Sequence, residues 1–137
     1  CGQIAADAGL QMAYHNHAFE FESFNGSMPY DLLLDRCDAD LVKFEMDLYW
    51  TKRAGMDPIT YFEKHPGRFP LWHVKDMEEG EDRFFAAVGE GILDWPKLFG
   101  YAETAGLDYY FVEQDDTRSG KPFEEIGKSI KYLNDIL

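Results

Sequence analysis

Cysteine and long apolar runs are both scarce in this chain of 137 residues. The two cysteines, Cys1 and Cys37, lie in neither a CxxC nor a CxH spacing, which argues against a zinc finger or a redox motif. No apolar run is long enough to span a bilayer, and no signal peptide is recognisable. The sequence therefore predicts reduced thiols, no membrane association and a cytoplasmic location.

Basic residues are also few. The chain has 13 Lys and Arg against 26 Asp and Glu, which gives a net charge of −13. Such a charge argues against nucleic acid or an anionic membrane surface as a partner. The acidic residues are spread along the chain, so no acidic tail is indicated, and fixed negative charge suits divalent cations.

Neither an initiating Met nor a Gly-rich dinucleotide-binding fingerprint is present. Residues 1–9 are typical of the last turns of a helix that ends at a glycine. We therefore expect a fragment of a longer protein, and a dinucleotide-binding fold is disfavoured.

Helix-like and strand-like segments alternate along the chain. Strands are predicted at 11–17, 41–47, 71–75 and 108–113, with a long loop at 77–91. Helices are predicted at 5–10, 29–37, 57–65, 94–105 and 122–137, and residues 19–27 form a loop or short hairpin. This order predicts an α/β fold with parallel strands in a single domain, 1–137.

Helix boundaries are marked by capping residues. Asp57 and Asp94 are predicted N-caps, and Gly106 is a predicted C-cap. The last helix is predicted to be amphipathic, with one apolar stripe formed by Phe123, Ile126, Ile130, Leu133 and Leu137.

Each predicted strand is apolar first and ends in side chains that bind metals or transfer protons. Because side chains alternate along a strand, His15 and His17 share a face, as do Glu45 and Asp47, His73 and Lys75, and Glu113 and Asp115. If those faces converge, His15, Asp47, His73 and Glu113 form a plausible shell for one Mn²⁺, Co²⁺, Zn²⁺ or Mg²⁺ ion.

These motifs resemble the C-terminal half of the xylose-isomerase-like barrel superfamily of sugar phosphate isomerases and epimerases. The resemblance covers nearly the whole chain and rests on the order and spacing of its motifs. They are Tyr14-His15-Asn16-His17 with Glu20 downstream, Phe44-Glu45-Met46-Asp47, His73-Val74-Lys75-Asp76, Val88 to Trp95, and Val112-Glu113.

The resemblance implies four βα units, strands five to eight of a (β/α)₈ barrel, and one divalent metal held by a residue from each strand. By position, three of the ligands are Asp47, His73 and Glu113. The first falls on His15, where many relatives carry a Glu that serves as one of two acid/base carboxylates. With histidine there, His17 becomes the better candidate base, and Glu113 serves as ligand and partner acid/base.

Other residues near the predicted strand ends have more than one interpretation. Lys75 is a candidate contact for a substrate anion or hydroxyl, or a solvated or ion-paired lysine. Trp50 could stack on a sugar ring or pack in the barrel. Glu20 is a candidate substrate contact that could equally support His15 or His17 or face solvent. Glu45 is expected to pair with a neighbouring cation rather than to bind the metal.

The activity implied by the resemblance is metal-dependent isomerisation or epimerisation of a sugar or sugar phosphate through a cis-enediolate. A keto-sugar or inosose lyase of the same superfamily is the alternative, and His15 strengthens it. A non-catalytic sugar-binding module is a third possibility. DNA cleavage, which another relative of this fold performs, is opposed by the net charge of −13.

Half a barrel would leave the first and last strands unpaired along their outer edges. Closure would require either an N-terminal half or a second copy of the same chain. We therefore expect self-association of the isolated chain unless the missing half is supplied.

Overall fold

Six strands are present in the computed structural model, which describes residues 1–137. In chain order they are β1 Met12–His15, β2 Val42–Asp47, β3 Leu71–Val74, β4 Asp76–Met77, β5 Phe85–Ala86 and β6 Tyr109–Val112. The order β1-β2-β3-β6 forms one sheet in which every pairing is parallel, and β4 and β5 form a separate antiparallel pair. The predicted parallel α/β architecture is confirmed.

Seven α-helices connect these strands, with a 3₁₀ turn at Phe19–Phe21. They are α1 Gly2–Asp7, α2 Pro29–Arg36, α3 Leu48–Arg53, α4 Pro58–Lys64, α5 Trp95–Phe99, α6 Ala102–Ala105 and α7 Pro122–Ile136. The predicted caps are present: Asp57 accepts from the Ile59 amide, Asp94 accepts from the Lys97 amide, and Gly106 ends α6 with φ of 77°.

The core lies between the helices and one face of the parallel sheet. Phe44 and Met46 of β2 and Trp72 and Val74 of β3 are completely buried on this face. They belong to a cluster of 20 buried residues that also includes Tyr30, Leu34, Phe62, Phe69 and Trp95. Strand alternation therefore leaves His15, Glu45, Asp47 and His73 on the opposite face.

Both cysteines are free thiols, Cys1 exposed and Cys37 partly buried. None of the helices combines the length and the apolarity needed to cross a membrane.

Three local elements differ from the sequence-based expectations. The predicted loop 77–91 contains strand β5, which pairs with β4. Helix α3 begins directly after β2, because the Asp47 carboxylate accepts a hydrogen bond from the Trp50 amide and caps it. The single helix predicted at 94–105 is two short helices separated at Gly100, a residue that disfavours a continuous helix.

The apolar stripe of α7 is only partly buried. Leu133 is 2% exposed, but Phe123, Ile130 and Leu137 are 91%, 48% and 62% exposed. The buried residues of the helix are Ser129 and Leu133. Of the predicted stripe, only Leu133 belongs to the buried core cluster.

Asp76 anchors the long segment between β3 and α5 by hydrogen bonds. Its carboxylate is fully buried and accepts five hydrogen bonds of 2.8–3.2 Å. The donors are the amides of Met77, Gly89, Gly91 and Leu93 and the indole Nε1 of Trp95. One side chain thus satisfies most of the buried donors of this turn.

Two glycines allow this turn to approach its neighbours closely. A Cβ on Gly91 would lie 2.2 Å from Asp76 Oδ1, and a Cβ on Gly89 would lie 2.4 Å from the Tyr132 ring of α7. The Ser129 hydroxyl accepts a hydrogen bond from the Val88 amide at 2.9 Å. The turn is therefore held between Asp76 on one side and α7 on the other.

We predict that Asp76→Ala lowers the free energy of unfolding by about 3–5 kcal/mol, because it leaves buried N–H donors without an acceptor. Asp94→Ala, which removes only an N-cap carboxylate, should cost about 0.5–2 kcal/mol. Urea unfolding of both variants tests this, and an Asp76→Ala loss no larger than that of Asp94→Ala would contradict it.

The sheet is open at both edges, since β1 and β6 each have a partner on one side only. On the face of β6 that also carries Glu113, Tyr109 and Phe111 are 69% and 51% exposed. Unpaired strand edges next to exposed aromatic side chains favour association with another chain segment.

We predict that the isolated 137-residue chain self-associates, so light scattering should give a mass above the 15.8 kDa of one chain. Replacing Tyr109 and Phe111 with Asp should shift the mass toward the monomer. The same change at Phe24, which is 71% exposed on a loop, serves as the control. A monomer with a sharp unfolding transition would refute this prediction.

Candidate functional site

The register of the parallel strands places the candidate residues side by side. His15 is the Cα partner of Glu45, Asp47 is the partner of His73, and His73 is the partner of Phe111. Glu113 follows β6 by one residue, and its amide donates to the Val74 carbonyl at 3.1 Å. The C-terminal ends of all four strands therefore contribute to one group of side chains.

His73 lies at the centre of this group. Its Nδ1 atom is 2.7 Å from Glu113 Oε2 and 3.6 Å from Asp47 Oδ2. These three atoms are buried, and both carboxylate oxygens form ion pairs with the Lys75 ammonium. One ligand atom from each of Asp47, His73 and Glu113 lies within 4.8 Å of the others, so the three residues could hold a metal ion.

His15 joins the group at its edge. Its Nε2 is 4.0 Å from Asp47 Oδ2, and its ring centroid is 4.3 Å from that of His73. His15, Glu45 and His73 form a second possible metal-binding group, with their ligand atoms within 4.8 Å of one another. The four predicted ligands therefore lie in two overlapping groups that share His73, rather than in one.

Lys75 provides the positive charge of the site. Its side chain is 2% exposed, and Nζ lies 3.1 Å from Asp47 Oδ2, 2.8 Å from Glu113 Oε2 and 2.8 Å from Asp115 Oδ2. The ammonium also lies 5.6 Å from the Trp50 ring centroid. Burial opposes the charge, but the carboxylates outweigh it and raise the pKa of Lys75. The predicted contact between Lys75 and substrate stays a prediction.

The two imidazoles at the strand ends differ in basicity. Burial and the neighbouring His73 lower the pKa of His15. Burial acts against protonation of His73 as well, but Asp47, Glu113 and Glu45 outweigh it and raise its pKa. Burial likewise favours the neutral form of Glu113, whereas Lys75 and His73 prevail and lower its pKa. Glu113 is therefore ionised at neutral pH.

Asp47 is held in place by residues behind the sheet. Its Oδ1 accepts from the Trp50 amide at 2.9 Å, so only Oδ2 faces the site. Its backbone amide donates to Oδ1 of the fully buried Asn16 at 3.1 Å, and Asn16 Nδ2 donates to Thr51 Oγ1 at 3.2 Å. The supporting role of Asn16 was not predicted from the sequence. Its position between two histidines could have indicated it, because strand alternation turns Asn16 toward the core, where a polar side chain needs hydrogen-bond partners.

His17 stands at the open side of the site. It is exposed, with its ring centroid 4.9 Å from that of His15 and 5.5 Å from that of Trp50. Glu20 is 2% exposed; it accepts from the His17 amide and from the Tyr14 hydroxyl, both at 2.9 Å. Burial together with Glu20 raises the pKa of Tyr14 to about 12. Glu20 thus supports His17 through its backbone, and a substrate contact for Glu20 stays a prediction.

The donor atoms fit a divalent first-row metal. Two buried carboxylate oxygens and a buried imidazole nitrogen are donor atoms that such a metal binds, and the Lys75 ammonium neutralises the same two oxygens. A cavity of about 410 Å³, lined by Glu45, His73, Phe111, Val112 and Glu113, gives access to them. The arrangement can bind a cation beside an ionised carboxylate, within reach of a small molecule.

Known proteins similar to this chain include inosose dehydratases. The chain is 27% identical to the inosose dehydratase of Lacticaseibacillus casei, over 97% of this chain and 50% of that protein. It is 25% identical to the enzyme of that name from Geobacillus thermodenitrificans, over 98% of this chain and 50% of the relative. The chain therefore spans about half the length of these relatives.

Solved structures show the same fold. A sugar phosphate isomerase/epimerase from Parabacteroides distasonis superimposes with a TM-score of 0.84 at 33% identity, over 96% of this chain and 47% of that one. A probable 3-DHS dehydratase from Bacillus anthracis gives a TM-score of 0.68 at 13% identity, and this similarity supports only the fold. A profile of the xylose isomerase-like TIM barrel matches residues 1–136. The chain therefore belongs to the xylose isomerase-like TIM barrel family, with four βα units that correspond to the C-terminal half of the barrel.

Proposed function

We propose that this chain carries the metal-binding and proton-transfer part of a divalent-metal-dependent isomerase or epimerase that acts on a sugar or sugar phosphate. The observation that carries the proposal is the convergence of Asp47 Oδ2, His73 Nδ1 and Glu113 Oε2, all buried, at one end of the sheet. Membership of a family with such enzymes supports it.

Asp47, His73 and Glu113 would hold the ion, with His15 beside them. A Mn²⁺, Co²⁺, Zn²⁺ or Mg²⁺ ion bound there would supply Lewis acidity that makes a proton next to a substrate carbonyl more acidic. The remaining chemistry belongs to side chains of this chain, which must remove that proton and return it elsewhere.

Glu113 is the proposed base. Its lowered pKa keeps it ionised at neutral pH, its side chain is 39% exposed, and it lines the cavity. Removal of a proton from the carbon next to the carbonyl would give a cis-enediolate. Return of the proton to the neighbouring carbon completes an isomerisation, and return to the opposite face completes an epimerisation.

His17 is the proposed second acid/base group. It is exposed beside the site, and the hydrogen bond from its amide to buried Glu20 fixes its backbone. The nearby Trp50 ring could stack on the apolar face of a sugar. An imidazole can both accept and donate a proton in acid/base catalysis.

Deuterium exchange tests this proposal. The native protein that carries this chain, loaded with Mn²⁺ in D₂O, should exchange the α-proton of a ketose or ketose phosphate and form its isomer or epimer. Glu113→Gln should slow the exchange by roughly 10²–10⁴-fold. Glu90→Gln, at an exposed glutamate paired with Lys128, is the matched control. Sugar binding without exchange would refute the proposal and identify a non-catalytic binding module.

Dehydration is the second candidate function. The relatives from Lacticaseibacillus casei and Geobacillus thermodenitrificans are named inosose dehydratases, and His15 is an imidazole among the proposed ligands. The first proton abstraction would be the same, but a β-hydroxyl would then leave as water. Formation of an unsaturated or diketo product from a polyhydroxy ketone, with no isomer, would favour this alternative.

We predict that His17→Ala lowers kcat by roughly 10²–10⁴-fold and leaves the Mn²⁺ dissociation constant nearly unchanged. His17 lies outside both possible metal-binding groups, so its loss removes a proton-transfer group rather than a ligand. His65→Ala, remote in sequence from the strand ends, serves as the control. If the metal-saturated His17→Ala protein turns over normally, the assignment is wrong.

A further inference from the structure

Glu45 is a carboxylate of the site that has no role in the proposed reaction. It lies on the same face of β2 as Asp47, two residues earlier, and directly opposite His15 in the register. Its Oε1 is 3.2 Å from His73 Nε2, and its side chain is 22% exposed toward the cavity that Glu113 also lines.

The ring of His73 has carboxylates at both of its nitrogens. Glu113 and Asp47 lie at Nδ1, at 2.7 Å and 3.6 Å, and Glu45 lies at Nε2. A neutral imidazole carries one proton, so only one nitrogen can offer a lone pair to a metal. The neighbour of the other nitrogen decides which tautomer is present.

Two features favour Nδ1 as the nitrogen that binds the metal. The Nδ1 side offers two carboxylates to a divalent charge, whereas the Nε2 side offers one. Nδ1, Asp47 Oδ2 and Glu113 Oε2 are also all buried. Hard carboxylate oxygens together with one imidazole nitrogen suit a first-row divalent ion.

We infer that Glu45 is a positioning residue, which keeps the proton of His73 on Nε2 and thereby turns the lone pair of Nδ1 toward Asp47 and Glu113. The inference rests on the proposed function, since it concerns the same metal site. Glu45 would act only through His73, as carboxylates behind metal-binding histidines do. Such partners orient the ring and make the ligand nitrogen more basic.

The test uses Zn²⁺ and the native protein that carries this chain. Long-range ¹H–¹⁵N spectra of the zinc-bound protein report the tautomer of His73, whose signals are assigned by their loss in His73→Asn. Calorimetry measures the Zn²⁺ dissociation constant of the unaltered protein and of Glu45→Ala and Glu45→Gln. Glu81→Ala, which removes an exposed charge, is the matched control.

We expect zinc on Nδ1 and a proton on Nε2 in the unaltered protein. Glu45→Ala should weaken Zn²⁺ binding roughly 10–100-fold. Glu45→Gln keeps an acceptor oxygen, so it should lose less zinc affinity than Glu45→Ala and keep the His73 tautomer. If Glu45→Ala does not fold, Glu45→Gln provides the test. Glu81→Ala should bind zinc normally.

Three outcomes would overturn the inference. Zinc on Nε2 would show that the second group, with His15 and Glu45, is the metal site. An unchanged dissociation constant in both Glu45 variants would show that Glu45 has no influence on His73. Absence of zinc binding in the unaltered protein would overturn the proposed function as well. An unchanged dissociation constant in the Glu45 variants would leave that function standing, and zinc on Nε2 would keep a metal site but exclude Asp47 and Glu113 as its ligands.

Discussion

The ion cluster around Lys75 is the interaction on which the site depends. Asp47, Glu113 and Asp115 each place a carboxylate oxygen within 3.1 Å of one ammonium that is almost fully buried. Without a cation, these carboxylates would repel one another in surroundings that solvate them poorly. The same two oxygens, Asp47 Oδ2 and Glu113 Oε2, are the ones proposed to hold a metal, so lysine and metal share one set of negative charges.

The backbone makes this cluster possible by dividing adjacent residues between the two faces of the sheet. Lys75 points into the site, whereas Asp76, the next residue, points away and holds the turn that contains Gly89 and Gly91. In the same way His15 faces the site, and Asn16 turns back to hold Asp47. Two residues of the site, His15 and Lys75, are therefore each followed by a buried polar residue that anchors the structure around them.

Much of the fold could be predicted from the sequence because its signals are local. The four strands, their parallel order and the caps at Asp57, Asp94 and Gly106 follow from short patterns. The β4–β5 pairing and four of the five hydrogen bonds of Asp76 join residues that are not neighbours in the chain, and no local pattern encodes them. Most of the apolar stripe of α7 is exposed, because periodicity shows an apolar side but not whether a neighbour covers it.

The candidate site, like the fold, could be predicted only in part from the sequence. Strand alternation predicted which side chains share a face, and the structure brings Asp47, His73 and Glu113 together. It could not predict that His15 groups with Glu45 and His73 or that Lys75 is buried among carboxylates, because both depend on the stagger between strands. The named relatives leave open which reaction follows the proposed proton abstraction, since they include both an isomerase/epimerase and dehydratases.

Anomalous diffraction from crystals of the native protein soaked in Mn²⁺ tests the central claim most directly. The account predicts one anomalous peak in contact with Asp47 Oδ2, His73 Nδ1 and Glu113 Oε2, with the Lys75 ammonium still bound to Asp115. First-row metals bind such atoms at about 2.0–2.3 Å. A map without a peak at these residues, at a manganese concentration that saturates activity, would contradict it.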